Sequence, residues 1–279
     1  MNINKCPIFI SSSDAYSDLW PAFFSIFKRE WPEYDGQIIL NTENKNFTFP
    51  DLDIICTNAN TNSKLKFGEV FKNGINKIKS DHFLLFMIDY FIESKVDTTY
   101  LQELYQKFLN SDTEALFLQK LGPVPLHIFQ DEDIVQMDIQ RSVGIAKESI
   151  FSFQVAFWRK ECITKYIADW ENPWFAEYFG CRRAKIFNPK LWMLSGNQKF
   201  PISYSGLGVL HGGGRWLDEA ISRIDLNGIP LNLSESRIRR GTFIEPKFPR
   251  LSRIPKEITL IPERLKSMRS IWELKKHKR

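Results

Sequence analysis

The chain contains no CxxC pair, no GxGxxG, no Walker A sequence and no apolar run of bilayer length. Its four cysteines, Cys6, Cys56, Cys162 and Cys181, are scattered through 279 residues. That scatter supplies neither a zinc ribbon nor a disulfide framework, and it suits a reduced, cytoplasmic compartment. Without GxGxxG after the first strand, or GxxxxGK[ST], the standard dinucleotide and P-loop phosphate sites have no basis. No stretch approaches the roughly 18 apolar residues of a membrane span. The opening MNINKCPIFISSSD has too short an apolar run for a signal peptide. RNP, helix-turn-helix and zinc-finger patterns are missing as well, so a nucleic-acid function would rest on charge alone. There is no internal repeat.

The composition is that of a globular protein, 43% hydrophobic and 14% aromatic. The length allows one large or two modest domains with a sizeable core. The net charge of +5 is unevenly spread. From Arg237 onward, 14 Lys/Arg against 4 Asp/Glu give +10, which leaves −5 for the first 236 residues. A basic tail on an acidic body seeks phosphates, on a membrane surface or on nucleic acid; a plain solvated tail has the same composition.

Apolar runs at residues 7–10, 37–41, 52–56 and 82–89 read as strands. Between them, Leu19, Phe23, Phe27 and Trp31 recur at spacing four, and Leu65, Phe67, Val70, Phe71, Ile75 and Ile78 form a second helical stripe. Ser17 or Asp18 can cap the first helix, and Pro21 fits its first turn. Strands alternating with helices predict an α/β fold with a mainly parallel sheet. Further along come a helix at 97–110, a short strand at 114–118 and a break at Gly122-Pro123-Val124-Pro125. Residues 131–138 are polar, with a strand pattern in their second half. An aromatic strand at 151–158 and helical residues 159–169 follow. A short helix opens at Pro173. Residues 202–211 are a glycine-interrupted strand or loop, 216–224 are helical, and a basic helix closes the chain at 262–278.

Five segments can carry chemistry. The apolar run HFLLFMIDYFIE delivers Asp89 at the carboxyl end of a buried strand, where open α/β sheets bind ligands. A carboxylate there can hold a divalent cation that neutralises a diphosphate, although a turn-capping Asp gives the same pattern. In NPWFAEYFG, Glu177 sits among aromatics that can stack on sugar faces and exclude water, which suits a general base. An amphipathic helix with Glu177 in solvent is the alternative. In HGGGRW, three glycines let main-chain amides approach an anion, with Arg215 and His211 beside them; a loop with an incidental histidine reads the same way. SFQVAFWRK places Gln154 and Trp158 near a cleft, with Phe153, Val155 and Phe157 in the core. The loop SSSD, with Ser12 and Asp14, and then Tyr16, faces the same edge as Asp89. Asp14 can accept from a base or ribose, or cap a helix.

Taken in order, IFISSSDAYSDLWPAFFSIFK, LLFMIDYF, SFQVAFWRK and NPWFAEYFG resemble the GT-A-fold glycosyltransferases of bacterial surface-polysaccharide (lipopolysaccharide or capsule) assembly. The resemblance spans residues 7 to about 216. It implies a GT-A-like fold in which residues 1–120 bind a nucleotide sugar and 121–233 bind the acceptor within the same domain, with 234–279 as a basic extension. It implies transfer of a sugar, hexosyltransferase-like, from a nucleotide-sugar donor to a hydroxyl of a lipid-linked glycan, by inversion with Glu177 as base. Ser12, Asp14, Tyr16, Asp89 and Arg215 would bind the donor, and Trp158 and Trp174 the acceptor. Asp89 and His211 would ligate Mg²⁺ or Mn²⁺. Ile88 departs from the family pattern, standing where related strands carry a second acid, and this opens the alternative of a non-catalytic nucleotide-sugar- or glycan-binding protein. In the tail, Leu265, Met268, Ile271 and Trp272 share a helical face, and Arg264, Lys266, Arg269, Lys275, Lys276, Lys278 and Arg279 supply charge. That pattern fits peripheral attachment to the inner, anionic face of the cell membrane, and nucleic acid is not expected as a partner.

Overall fold

The computed structural model describes residues 1–59, 65–121, 126–129, 133–140, 150–197, 199–211, 214–231, 239–240 and 260–277. Strand β1 (Ile8–Ser11) is followed by α1 (Trp20–Glu30), β2 (Gln37–Leu40), β3 (Asp53–Cys56), α2 (Phe67–Asn76) and β4 (His82–Met87). Next come α3 (Thr98–Leu109), β5 (Ala115–Phe117), β6 (Leu126–Phe129), β7 (Ile134–Met137) and β8 (Ala156–Arg159). The chain continues with α4 (Lys160–Ile163), α5 (Pro173–Phe187), β9 (Leu191–Leu194), β10 (Leu210–His211) and β11 (Arg215–Leu217). It ends with α6 (Asp218–Ile221), β12 (Arg239–Arg240) and α7 (Ile261–His277).

Nine strands form one sheet in the order β3-β2-β1-β4-β8-β5-β9-β7-β6. All but β7 and β8 run in the same direction. The α/β class, the mainly parallel sheet flanked by helices and the helical basic tail are therefore as the sequence predicts. Strands β10, β11 and β12 make a separate small sheet.

Two-faced burial explains the unbroken apolar strands. Ile8, Ile10, Ile38, Leu40, Leu84 and Phe86 point into one layer with Phe23 and Phe27 of α1 and Leu101, Leu104 and Phe108 of α3. Phe9, Ile39, Phe83 and Leu85 point into the other, with Phe71 and Ile75 of α2 and Ala176 and Ala184 of α5. The two expected halves interleave, because β8 lies between β4 and β5. The four cysteines are unpaired.

Local chemistry sets the helix ends. Asp97 caps α3 by accepting from Tyr100 N at 3.0 Å, and Asn172 caps α5 by accepting from Phe175 N at 2.9 Å. Helix α1 has Pro21 in its first turn but no side-chain cap. A 3-10 turn over Asp14–Tyr16 leads into it instead, and the Ser17 hydroxyl accepts from Lys45 Nζ at 2.6 Å.

Several expected elements change. The strand expected at 151–158 is confined to Ala156–Arg159. The helix at 159–169 is one α-turn followed by a 3-10 turn. The helix at 216–224 begins as strand β11. Strands β6 and β9 were not foreseen. Helix α5 is 15 residues long rather than short, and Gly180 within it is a packing site. A Cβ on Gly180 would lie 2.4 Å from Phe151 Cδ1, so the missing side chain seats the Phe151 ring against the helix.

The tail helix docks on the protein's own surface. Glu171 and Arg183 form a bidentate buried pair, with N–O distances of 2.6 and 2.8 Å. Ser267 of α7 donates to Glu171 Oε1 at 2.7 Å and accepts from Trp170 Nε1 at 2.9 Å. Lys66 pairs with Glu263 at 2.8 Å. The apolar face expected for this helix is consequently divided. Ile271 is 7% exposed, whereas Leu265, Met268 and Trp272 are 60%, 47% and 56% exposed. Lys278 and Arg279 lie outside the described residues. No helix among the described residues is long and apolar enough to cross a membrane.

Candidate active site

Strand β4 ends at Met87 and the chain turns at once, with Tyr90 N donating to Met87 O at 3.0 Å. Ser11 of β1 stands opposite Met87, so the loop after β1 and the turn after β4 open at one edge of the sheet. A distant segment closes over that edge antiparallel to residues 89–93. Val209 N donates to Asp89 O at 2.8 Å, Ile92 bridges Tyr204, and Glu93 N donates to Ser203 O at 2.8 Å.

Asp89 is half-buried, and no other described residue donates a hydrogen bond to its carboxylate. Burial therefore pushes its carboxyl up to about 6. The close neighbour is Gly208, with φ +72°. A Cβ there would lie 2.5 Å from Asp89 Oδ2, so both conformation and space require glycine. Sequence reading missed Gly208 and weighed 212–214 instead; its signal is one isolated glycine inside SYSGLGVLH. Ile88 is 3% exposed and packs with Leu84 and Phe86. An acid at that position would be a charge in the core, which accounts physically for its absence.

Glu177 lies in the second turn of α5. Its Oε1 accepts from Ser152 Oγ and Phe153 N, both at 2.9 Å. Oε2 has no protein donor among the described residues. Burial raises its pKa, and the two donors partly offset the rise. Half-burial replaces the solvent-facing alternative for this residue.

A polar network leads from Glu177 to Tyr90, the residue after Asp89. Tyr90 stacks on Tyr204 with ring centroids 4.9 Å apart. Gln154 Nε2 donates to Tyr90 Oη and to Gly206 O, both at 3.0 Å. Gln154 Oε1 accepts from Tyr204 Oη at 3.0 Å and from Gln119 Nε2. Gln154 N reaches Ser152 Oγ at 3.4 Å, and that hydroxyl holds Glu177. The Tyr90 phenol is held well above the usual tyrosine range by burial, and then by the charge of Asp89, by Tyr204 and by Glu177. Sequence reading placed Gln154 near a cleft but gave no role to Tyr90 or Tyr204, which are 114 residues apart in the chain.

The other expected residues are distributed differently. Ser12 Oγ accepts from Trp20 Nε1 at 2.8 Å. The Asp14 carboxylate accepts from the main-chain N–H groups of Glu43 (3.1 Å), Asn44 (2.9 Å) and Lys45 (3.1 Å), so it ties two loops together. Tyr16 is half-buried against the core. Trp158 is enclosed within β8, edge-on to Phe117 and Phe151, and offers no face to an acceptor. Trp174 is 77% exposed, three residues before Glu177 on α5. His211 and Arg215 face each other across the β10–β11 pair, two residues beyond the contact with Asp89. Arg215 is exposed; the side chain of His211, with Gly212 and Gly213, lies outside the described residues.

No group of three or more His, Cys, Asp or Glu among the described residues could hold a metal. A dedicated protein cage for a cation is therefore not formed by them. One partnerless carboxylate does fit magnesium held mostly by phosphate oxygens and water.

No protein-family model matches the chain, and no curated protein matches its sequence. Solved structures similar to it include S. aureus TarS 1–349, at 10% identity and TM-score 0.45, covering 70% of this chain and 59% of that one. The same TarS fragment with UDP-GlcNAc is 11% identical with TM-score 0.44, over 70% and 57%. The bifunctional IspDF of Campylobacter jejuni is 12% identical with TM-score 0.42, over 79% and 54%. The chain thus spans between half and three fifths of the length of these proteins.

Proposed function

We propose that the protein is an inverting glycosyltransferase acting from a nucleotide sugar onto a glycan hydroxyl. The observation that carries this reading is the pair of desolvated carboxylates, Asp89 and Glu177. Among the described residues, each has an oxygen that accepts from no other residue; Glu177 is tied through Ser152 and Gln154 to Tyr90, which follows Asp89 in the chain. Their environments suit different tasks. Asp89 stands just past the carboxyl end of β4, where phosphates bind in α/β folds. Glu177 has one oxygen locked and one free, with its pKa raised toward the range of a useful base.

In the proposed step, Glu177 Oε2 takes the proton of the acceptor hydroxyl. The acceptor oxygen forms a bond to the anomeric carbon as the bond from that carbon to the phosphate oxygen breaks. The nucleoside diphosphate leaves with the electron pair. Asp89 and Arg215 orient the diphosphate end, and exposed Trp174 offers a stacking face to the acceptor sugar. Asp89, with His211 as the second ligand that the family likeness implies, would hold Mg²⁺ or Mn²⁺, which would supply charge neutralisation to the diphosphate. Ser12 and Tyr16 frame the same edge from the first loop. Asp14 is committed to main-chain donors and acts there by holding the loop.

The acceptor is proposed to be lipid-linked, with the exposed Leu265, Met268 and Trp272 of α7 and neighbouring Arg264, Lys266, Lys275 and Lys276 meeting an anionic bilayer. A second reading, a non-catalytic nucleotide-sugar- or glycan-binding protein, draws on the single carboxylate left by buried Ile88. Glu177→Gln separates the two. Gln keeps an acceptor oxygen for Ser152 and Phe153, so donor binding should persist while transfer falls about 10²–10⁴-fold. Near-normal turnover with intact donor binding would sink the proposed base. Donor binding without turnover in the unaltered protein, across a broad acceptor panel, would favour the second reading.

A further inference from the structure

The hydrogen bonds under the site have a direction that chemistry fixes. Gly206 presents a carbonyl, which only accepts, so the Gln154 atom 3.0 Å from it must be Nε2. The second Nε2 proton then goes to Tyr90 Oη at 3.0 Å. On the other side, Val155 N–H donates to Tyr204 Oη at 3.0 Å, and the Tyr204 proton goes to Gln154 Oε1 at 3.0 Å. Gln119 Nε2 fills the remaining lone pair of Oε1. Every hydrogen-bonding position of the Gln154 amide is in use. The polarity runs from Val155 through Tyr204 and Gln154 to Tyr90, and each bond strengthens the next.

Tyr90 therefore accepts from inside the protein and keeps its own proton for something else. Among the described residues nothing accepts that proton. The ring cannot turn to find an acceptor, because it is buried and stacked on Tyr204 at an interplanar angle of 29°. Ionised Asp89 and Glu177 can only accept. A sugar hydroxyl lying between them would give its proton to one of them, and its oxygen would still need a donor. Tyr90 is a neutral donor that follows Asp89 in the chain and is linked through Gln154 and Ser152 to Glu177.

We infer that Tyr90 is a specificity-determining residue whose hydroxyl donates to a hydroxyl oxygen of the sugar carried on a nucleoside diphosphate. This rests on the glycosyl-transfer reading above. Tyr90→Phe removes one oxygen and keeps the ring and its stack. Calorimetric titration, with Mn²⁺ present, of UDP, GDP and dTDP and of their glucose and N-acetylglucosamine conjugates tests it. For the nucleotide that binds, the variant should take the bare diphosphate as the unaltered protein does, and the sugar conjugate about three- to tenfold more weakly. Equal affinity of both proteins for the conjugate overturns the inference while leaving the glycosyl-transfer reading in place. Equal weakening of bare and conjugated nucleotide marks a merely structural phenol and also overturns it. If the unaltered protein binds none of the panel, the glycosyl-transfer reading fails and takes this inference with it.

Discussion

Replacing Gly208 by alanine should damage Asp89 without touching it in sequence. Two effects add. The first is backbone: at φ +72° an L-residue is strained by about 1 kcal/mol. The second is contact. The new Cβ would sit 2.5 Å from Asp89 Oδ2 and 2.9 Å from its Cγ, well inside van der Waals distance. The carboxylate must swing off its rotamer, for about 1 kcal/mol more. The total of roughly 2 kcal/mol corresponds to a melting temperature lower by about 4–8 °C for a chain of this size. Gly228 provides the control, because its φ is +71° and nothing lies within 4 Å of its would-be Cβ. Gly228→Ala should thus show the backbone part alone, about 2–4 °C. Thermal unfolding of both variants, of Asp89→Ala and of the Asp89→Ala/Gly208→Ala double variant completes a cycle. The double variant should regain the contact part and behave like Gly228→Ala on an Asp89→Ala background. If Gly208→Ala is no worse than Gly228→Ala, or if Asp89→Ala adds to it without relief, the close approach of Gly208 to Asp89 is refuted.

Asp89→Asn should change how stability depends on pH. Burial raises the carboxyl from 3.8 to about 6, so the folded state holds the proton more tightly than the unfolded chain does. The resulting stability is fully present below about pH 4 and is lost as pH rises through 6. An uncharged Asn escapes that loss, so the variant should gain on the unaltered protein by up to about 3 kcal/mol between pH 4 and 7. Parallel melting curves across that range would remove the desolvation argument. Leu265→Ser/Trp272→Ser should reduce pelleting with anionic phosphatidylglycerol vesicles and leave the melting temperature unchanged, since both side chains already face solvent. Undiminished pelleting would exclude the α7 stripe as the membrane contact.

The sequence made visible what is local and buried on two sides. Strands β1, β2 and β4 announce themselves because both faces are covered, so their interior residues are apolar. Helix α3 is legible over 97–110, and the structure adds its Asp97 cap. Asp89 and Glu177 stood out as acids in apolar company, and that company is what raises their pKa values. What stayed hidden is pairing between remote segments. Trp158 reads as a cleft aromatic in SFQVAFWRK, but β8 inserts into the middle of the sheet and buries it. Asp14 reads as a ligand group until the turn at 43–45 brings three N–H donors to it. Gly208, Tyr90 and Tyr204 acquire their roles only because residues 203–209 fold back over 89–93. The tail's apolar face divides because Ser267 finds Glu171, nearly a hundred residues earlier.

The place of β8 bears on how the molecule assembles. Strand β5 pairs with β8 and β9 and with no earlier strand, while β4 offers β8 its open side. Until residue 159 has joined, β4 is therefore a bare edge and β5 has nowhere to dock. Edges of that kind attract other chains. Closing the gap requires contacts of long sequence separation, which makes for slow folding. The sheet is thus completed by a central wedge rather than grown outward, and its most aggregation-exposed moment falls just before that wedge arrives.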